Sequence, residues 1–307
     1  MNKKEFRTID EQMDILENKG LVINNRAVTA EILLRENYFF LNGYRTPFYT
    51  KNKKFKPGTT FEELYSLFLF DRNLRNILFK NLLIVENNIK SIISYTLSKK
   101  YGYKEKEYLK PSNYNQDIKE QRRVNDVLEK MKRQIRVNGS KHSATLHYMN
   151  NYGYVPMWIL VKVLSFGIIN ELYGILKNED KKEICDIYGI NPKEMEIYLS
   201  LLSNYRNLCA HEDIVYDHRT QKEIPNTIYH NKLKIEQIDG FYKYGKNDIF
   251  ALIIILKIML TKNRFNEMMN DINDEINTLS QNLKTITHQE IYQILGLPKN
   301  YNDIINI

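Results

Sequence analysis

Two cysteines, seven prolines, twelve glycines and one tryptophan are all that 307 residues contain of those types. Cys185 and Cys209 are too few, and too far apart, for a disulfide framework or a zinc-ligating pair. Both read as small core residues in a reducing cytoplasm. With so few glycines and prolines, long stretches run without a breaker, which favours helices. No βαβ alternation is visible, so no nucleotide-binding sheet is implied, and no repeat of solenoid period occurs. Long apolar runs are also missing. The longest, Ile249 to Leu260, contains Lys257 and falls short of the ~20 apolar residues a membrane span needs. It reads as a buried helix. The opening stretch MNKKEFRTIDEQMDILENKG has no apolar core of a signal peptide. The expectation is a soluble, cytoplasmic protein with no membrane partner, no cofactor and no metal.

Cations are in excess. Forty-five Lys and Arg face 37 Asp and Glu, for a net charge of +8. That suggests a polyanionic partner, most simply nucleic acid, although the same excess also serves solubility. Apolar spacing predicts short amphipathic helices over 5–20 and 26–36. The aromatic, basic stretch 37–58 reads as loop. Thr60 with Glu63 forms a capping box. It opens a helical run from Phe61 to Lys100, either one helix or two with a kink. Weak helical periodicity marks 116–136, broken at Asn138-Gly139-Ser140. Pro156 stands where a first helical position would be, before the apolar stretch Met157 to Lys177. A short helix follows near 179–188. Asn191, Pro192 and Glu194 are a second start signal. The helix they open buries Met195, Tyr198, Leu199, Leu202, Tyr205 and Cys209. Residues 214–246 read as an excursion with a short hairpin. Helices resume over 247–262 and 264–283, and Thr287 with Glu290 caps the last.

One local pattern carries chemistry: Arg206-Asn207-Leu208-Cys209-Ala210-His211. An Arg and a His this close are common by chance. Arg136 and His142 are a similar pair in a polar stretch without a scaffold. The Arg206 pair differs because it ends a helix with a firm apolar face. Asn207 adds an amide, and Cys209 and Ala210 leave room for a close approach. On a straight helix Arg206 and His211 lie roughly 140° apart. Either the helix ends before His211, or a second copy completes the site. The chemistry suits RNA. A His takes a proton from a ribose 2′-OH or gives one to the leaving 5′-oxygen. An Arg meets the phosphate and its transition-state charge. The competing reading is a helix end capped and solvated by two cations.

Four segments extend the pattern: ENYFFLNGYRTPF (36–48), FKPGTTFEELYSLFLFDRNLRNILFKNLLIVENNIKSIISYTLSKKYG (55–102), NYRNLCAHEDIVYD (204–217) and ILGLPKNYNDI (294–304). Together they resemble the Abi-like abortive-infection proteins of the AbiD/AbiF type, in the HEPN superfamily of RNases. The string 204–217 looks like that superfamily's R-x4-6-H signature, and it is similar to the HEPN halves of type VI CRISPR effectors. The resemblance implies an all-α, HEPN-like helical bundle with additional N-terminal helices. It implies a metal-independent endoribonuclease toxin in phage defence, with Arg206, Asn207 and His211 catalytic. It further implies a homodimer and a structured noncoding RNA that binds and restrains the protein. Where some relatives carry a second His, this chain has Glu212, so a two-histidine mechanism is not implied. Asp71, Arg72, Asn73, Leu74, Arg75 and Glu86 match the family pattern. Arg75 and Glu86 share a helix face three turns apart, and a structural role is favoured over RNA contact.

The chain reads as one domain over 1–307. Residues 1–58 form N-terminal helices and an aromatic-basic loop, 59–213 a core ending in the motif, and 214–307 the excursion and C-terminal helices. Two patches are candidate RNA contacts. Arg45, Lys51, Lys53 and Lys54, with Tyr44, Phe48 and Tyr49, would stack bases and meet phosphates. Packing of the aromatics into the core is the favoured competitor. Arg122, Arg123, Lys130, Arg133 and Arg136 line one helix, either as a phosphate track or as a solvated face. The alternative function is a non-catalytic RNA-binding protein of the same fold.

Overall fold

The computed structural model describes residues 5–307. The fold is all-α, with one two-stranded hairpin among the described residues. The N-terminal part carries α1 (Ile9–Asn18), α2 (Arg26–Glu36) and α3 (Tyr38–Asn42), then a 3-10 turn at Gly43–Phe48. The long α4 (Phe61–Tyr101) follows, then α5 (Glu105–Tyr108), α6 (Gln121–Asn138), α7 (Ser143–Tyr152), α8 (Met157–Val163), α9 (Phe166–Ile175) and α10 (Asn178–Asp186). The motif helix is α11 (Pro192–Ala210). After it come α12 (Ile228–Lys232), the hairpin of β1 (Gln237–Ile238) and β2 (Phe241–Tyr242), α13 (Ile249–Met259), α14 (Lys262–Asn282) and α15 (His288–Leu295). The hairpin lies inside the excursion predicted over 214–246.

Helix α4 organises the rest. Thr60 and Glu63 exchange both bonds of the capping box, at 3.3 and 3.2 Å. From there 41 residues run as one helix, about 62 Å at 1.5 Å per residue. Its buried positions advance in steps of three and four: Leu64, Leu67, Asp71, Leu74, Leu78, Leu82, Val85, Ile89, Ile93 and Leu97. Helices α14, α8 and α11 pack along that stripe, with α9, α10 and α13 also against it. Helix α13 is buried on every side from Ile249 to Leu256, as an all-apolar helix must be. No helix among the described residues is long and apolar enough to cross a membrane.

Three local readings change. The stretch 37–58 is a loop only in its second half, because Tyr38–Phe48 forms two short helical turns that bury Leu41, Tyr44 and Phe48. Tyr44 and Phe48 are therefore core, unable to stack on bases. Pro156 is the N-cap of α8, one position earlier than its N1 preference suggests. The apolar stretch after it is two helices, because the Ser165 hydroxyl accepts Ile168 N–H at 3.3 Å and starts α9 anew.

Five charged residues of α4 are buried: Glu63, Asp71, Arg75, Glu86 and Lys90. The Asp71 carboxylate, fully buried, accepts the Tyr44 hydroxyl at 2.7 Å, Val215 N–H at 3.2 Å and Tyr216 N–H at 2.7 Å. Arg75, one turn on, pairs with the same carboxylate and reaches Tyr44 Oη at 3.1 Å and the Asp213 carbonyl at 3.3 Å. This cluster fastens the 3-10 turn, α4 and the chain just beyond α11 to one another. Asp71→Ala leaves Arg75 charged in a dry site and strands two N–H groups. We expect a loss of about 3–5 kcal/mol, read as a lower midpoint in urea unfolding. Tyr44→Phe removes a hydroxyl that donates to the carboxylate and accepts from Arg75, and should cost less, about 1.5–3 kcal/mol.

Candidate active site around Arg206 and His211

Helix α11 begins as its sequence predicts. Asn191 Oδ1 accepts the N–H groups of Lys193 and Glu194, both at 3.0 Å, with Pro192 at the first helical position. Met195, Tyr198, Leu199, Leu202, Tyr205 and Cys209 are all buried, so the motif rides on a helix anchored along one face. The helix stops at Ala210, with His211 as C-cap. Asp213 N–H reaches back to the Leu208 carbonyl at 3.0 Å, and Glu212 adopts a left-handed φ of 57°. That is the Schellman arrangement, with glutamate where glycine is favoured. Of the two expected solutions, the helix does end before His211.

Arg206 faces α4. Its Nε donates to Glu86 Oε2 at 3.1 Å, and Glu86 Oε1 meets Lys90 Nζ at 2.7 Å. The guanidinium stands 6.0 Å over the Phe79 ring. Glu86 is 4% exposed and Arg206 26%, so the carboxylate is sealed while the arginine keeps a wet side. Neither Nη atom of Arg206 has a partner among the described residues. Glu86 is thus buried between two cations and holds Arg206. The spacing of Glu86 from Arg75 could not have shown this. Asn207 and His211 are exposed, and their side chains make no hydrogen bond among the described residues. No hydrogen bond joins Arg206 to His211 among the described residues.

Beside the motif lies a cleft of about 260 Å³, walled by Arg72, Arg75 and Phe79 of α4 and by Cys209, Ala210 and Glu212. The small residues before His211 therefore do leave open space. Cys209 reaches this cleft, but burial pushes its thiol up to about 12. It is no thiolate nucleophile at neutral pH. Arg72 is committed to Glu36 through two bonds of 2.9 and 2.6 Å. A further histidine, His218, borders the motif helix: its Nε2 meets Asn204 Oδ1 at 2.7 Å. Burial lowers its pKa below the usual imidazole range. Among the described residues no three His, Cys, Asp or Glu side chains gather as metal ligands would.

The other candidates lie apart from this cleft. Arg45 is half-buried, donating to the Asn42 carbonyl at 2.9 Å with its guanidinium 5.7 Å from the Tyr49 ring. It serves the local turn. Lys51, Lys53 and Lys54 are exposed on the following turn. On α6, Lys130 pairs with Glu171 at 2.7 Å, and Arg123 pairs with Glu120 at 3.4 Å while lying against Gly174. Arg122, Arg133 and Arg136 are exposed without an acidic partner among the described residues. The decoy resolves as a cap: His142 Nδ1 accepts Thr145 N–H at 3.3 Å and starts α7.

The sequence pattern of the Abi-like protein family matches residues 31–217, from α2 through the motif. The resemblance noted at 294–304 lies beyond that match. No curated protein and no solved structure matches the chain.

Two stability measurements follow from this geometry. His211→Ala and Asn207→Ala remove exposed, unpartnered side chains and should change stability by no more than about 0.5 kcal/mol. Glu212→Gly relieves the left-handed strain and should stabilise by about 1 kcal/mol. Chemical denaturation reads both. A large loss in the first pair, or a destabilised glycine variant, contradicts the turn described.

Proposed function

The chain belongs to the Abi-like protein family of abortive-infection proteins, and we propose that it is a HEPN-type endoribonuclease of phage defence. The observation that carries this reading is an arginine held by its Nε with both Nη groups free, followed five residues on, at the helix stop, by an exposed histidine, with Cys209 and Ala210 between them lining a neighbouring cleft. The two free Nη groups of Arg206 present a planar donor pair. Such a pair suits the non-bridging oxygens of a phosphodiester and their increased charge in the transition state. His211 removes the ribose 2′ proton, the 2′-oxygen attacks phosphorus, the bond to the 5′-oxygen breaks, and that oxygen takes a proton. The products are a 2′,3′-cyclic phosphate and a 5′-hydroxyl. This route uses the 2′-OH, so its substrate is RNA and not DNA. Asn207, one residue from Arg206 and exposed, would hold a phosphate oxygen.

A two-fold pair of copies is proposed to supply both groups to one phosphate, because Arg206 turns to Glu86 of α4 and makes no hydrogen bond with His211 in one chain. One imidazole then acts as base and its mate as acid. A structured noncoding RNA is proposed as the restraint on this activity.

The test is RNA cleavage by purified protein in EDTA. Wild type should cleave and leave cyclic phosphate ends. Arg206→Ala and His211→Ala should each lose at least about 100-fold, with size-exclusion mass unchanged at that of a dimer. Equal cleavage by all three sinks the assignment. RNA bound tightly by wild type without cleavage leaves the non-catalytic alternative. In cells, the His211→Ala protein should fail to protect against phage.

A further inference from the structure

At the C-terminal end of α4, a second cleft of about 560 Å³ opens between α5, α6 and the end of α7. Glu86 and Gly102 are 16 residues apart along the chain, about 24 Å along a helix axis, so this cleft lies well away from Arg206. Lys104, Lys106, Lys132 and Arg136 line it, with Glu105 the one carboxylate among its lining residues. Glu105 is occupied by the Val155 N–H. Lys132 has a surface partner, Glu129, at 2.8 Å, a pair worth little in water. Lys104, Lys106 and Arg136 have no acidic partner among the described residues.

The rim is aromatic. Trp158 stacks on Tyr103 at 5.7 Å, Tyr103 meets Tyr154 at 5.7 Å, Tyr154 meets Tyr152 at 6.3 Å, and Tyr152 meets Tyr148 at 5.3 Å. Trp158, Tyr103 and Tyr152 are 44, 40 and 56% exposed. Lys104 Nζ lies 5.1 Å from the Tyr154 ring, which joins the cationic floor to the aromatic rim. Two backbone turns create the row: Gly102 leaves α4 at φ 89°, and Gly153 ends α7 at φ 72°. Five linked rings left partly in water, beside four cations, are a costly surface for a fold to keep unused.

We infer that this cleft binds an unpaired segment of RNA, its bases stacked on Tyr103, Tyr154 and Trp158 and its phosphates on Lys104, Lys106 and Arg136. Rings serve any base by its π-face while cations follow the backbone. The choice of RNA over DNA rests on the proposed function; the preference for single strands does not, because a duplex hides its base faces.

Trp158 is the only tryptophan in the chain, so its fluorescence reports on this site alone. In the full-length His211→Ala protein, a short oligouridylate should quench it, and duplex RNA of equal length should not. Tyr154→Ala should weaken binding about tenfold or more, with Tyr154→Phe restoring it. Lys104→Ala with Arg136→Ala should weaken binding and lower the salt-dependence slope by about 1.4 for two lost phosphate contacts. Absence of quenching by single strands, equal quenching by duplex, or indifference to these substitutions overturns the inference; the first would return the rings to a protein contact. Cleavage without quenching sinks this site alone, and quenching without cleavage sinks only the catalytic reading.

Discussion

The fold depends on one buried carboxylate. Asp71 lies on the apolar stripe of the longest helix, where an unpaired charge would be prohibitive. It survives there because four groups converge on it: the Tyr44 hydroxyl, the Arg75 guanidinium and the N–H groups of Val215 and Tyr216. Those groups come from chain segments up to 145 residues away. A hydrophobic contact in the same place would tolerate sliding. Directed bonds to two consecutive N–H groups do not, so the chain leaving α11 has a fixed register on α4. The position of His211, four residues before Val215, follows from that register.

A second point fixes the motif to the same rod. Glu86 holds Arg206 while Asp71 holds Val215 and Tyr216. As the chain passes from Arg206 to Tyr216, its contacts on α4 move back from 86 to 71, so α11 runs antiparallel to α4. The two carboxylates are 15 residues apart, about 22 Å of helix. Two catalytic candidates separated by a helix stop are thus referenced to one rigid element. A site held this way keeps its geometry better than one carried on a free loop. The cost is that α4 claims the Nε of Arg206 for itself and leaves only the Nη edge of the guanidinium unpaired among the described residues.

Much of this was legible in the sequence. The capping boxes at Thr60 and Thr287, the Asn191-Pro192-Glu194 start and the apolar face of α11 rest on local spacing, and they appear where the spacing placed them. Local spacing does not encode which partner a charge finds 120 residues away, so the Glu86–Arg206 pair was invisible to it. A signal was nevertheless present. Asp71, Arg75 and Glu86 fall in phase with Leu64, Leu78 and Leu82, and charges on a core stripe must be paired. In the aromatic-basic stretch the favoured reading, aromatics packed into the core, holds for Tyr44 and Phe48, while the loop reading fails over its first half. Tyr44 and Phe48 precede a run of lysines in sequence, but the 3-10 turn that carries them packs against α4 and both are buried. The row of rings around Tyr154 escaped notice because it joins residues from three elements.

The turn after His211 shows how the clasp and the motif depend on each other. Glutamate at a left-handed position costs about 1–2 kcal/mol relative to relaxed backbone, and glycine would remove that cost. The local sequence therefore does not choose this turn by itself. Removing one partner from a buried ion pair costs about 3–5 kcal/mol, more than the strain. The Asp71 cluster is strong enough to hold Glu212 in the left-handed region and, through it, to stop α11 at Ala210. His211 keeps its helical N–H bond to the Asn207 carbonyl, at 3.0 Å, so the stop acts on the chain that follows it. The strain is found one residue from the exposed imidazole, at the only non-glycine left-handed position between Lys53 and Lys234 among the described residues. Strain so placed fits a turn kept for where it points its neighbour.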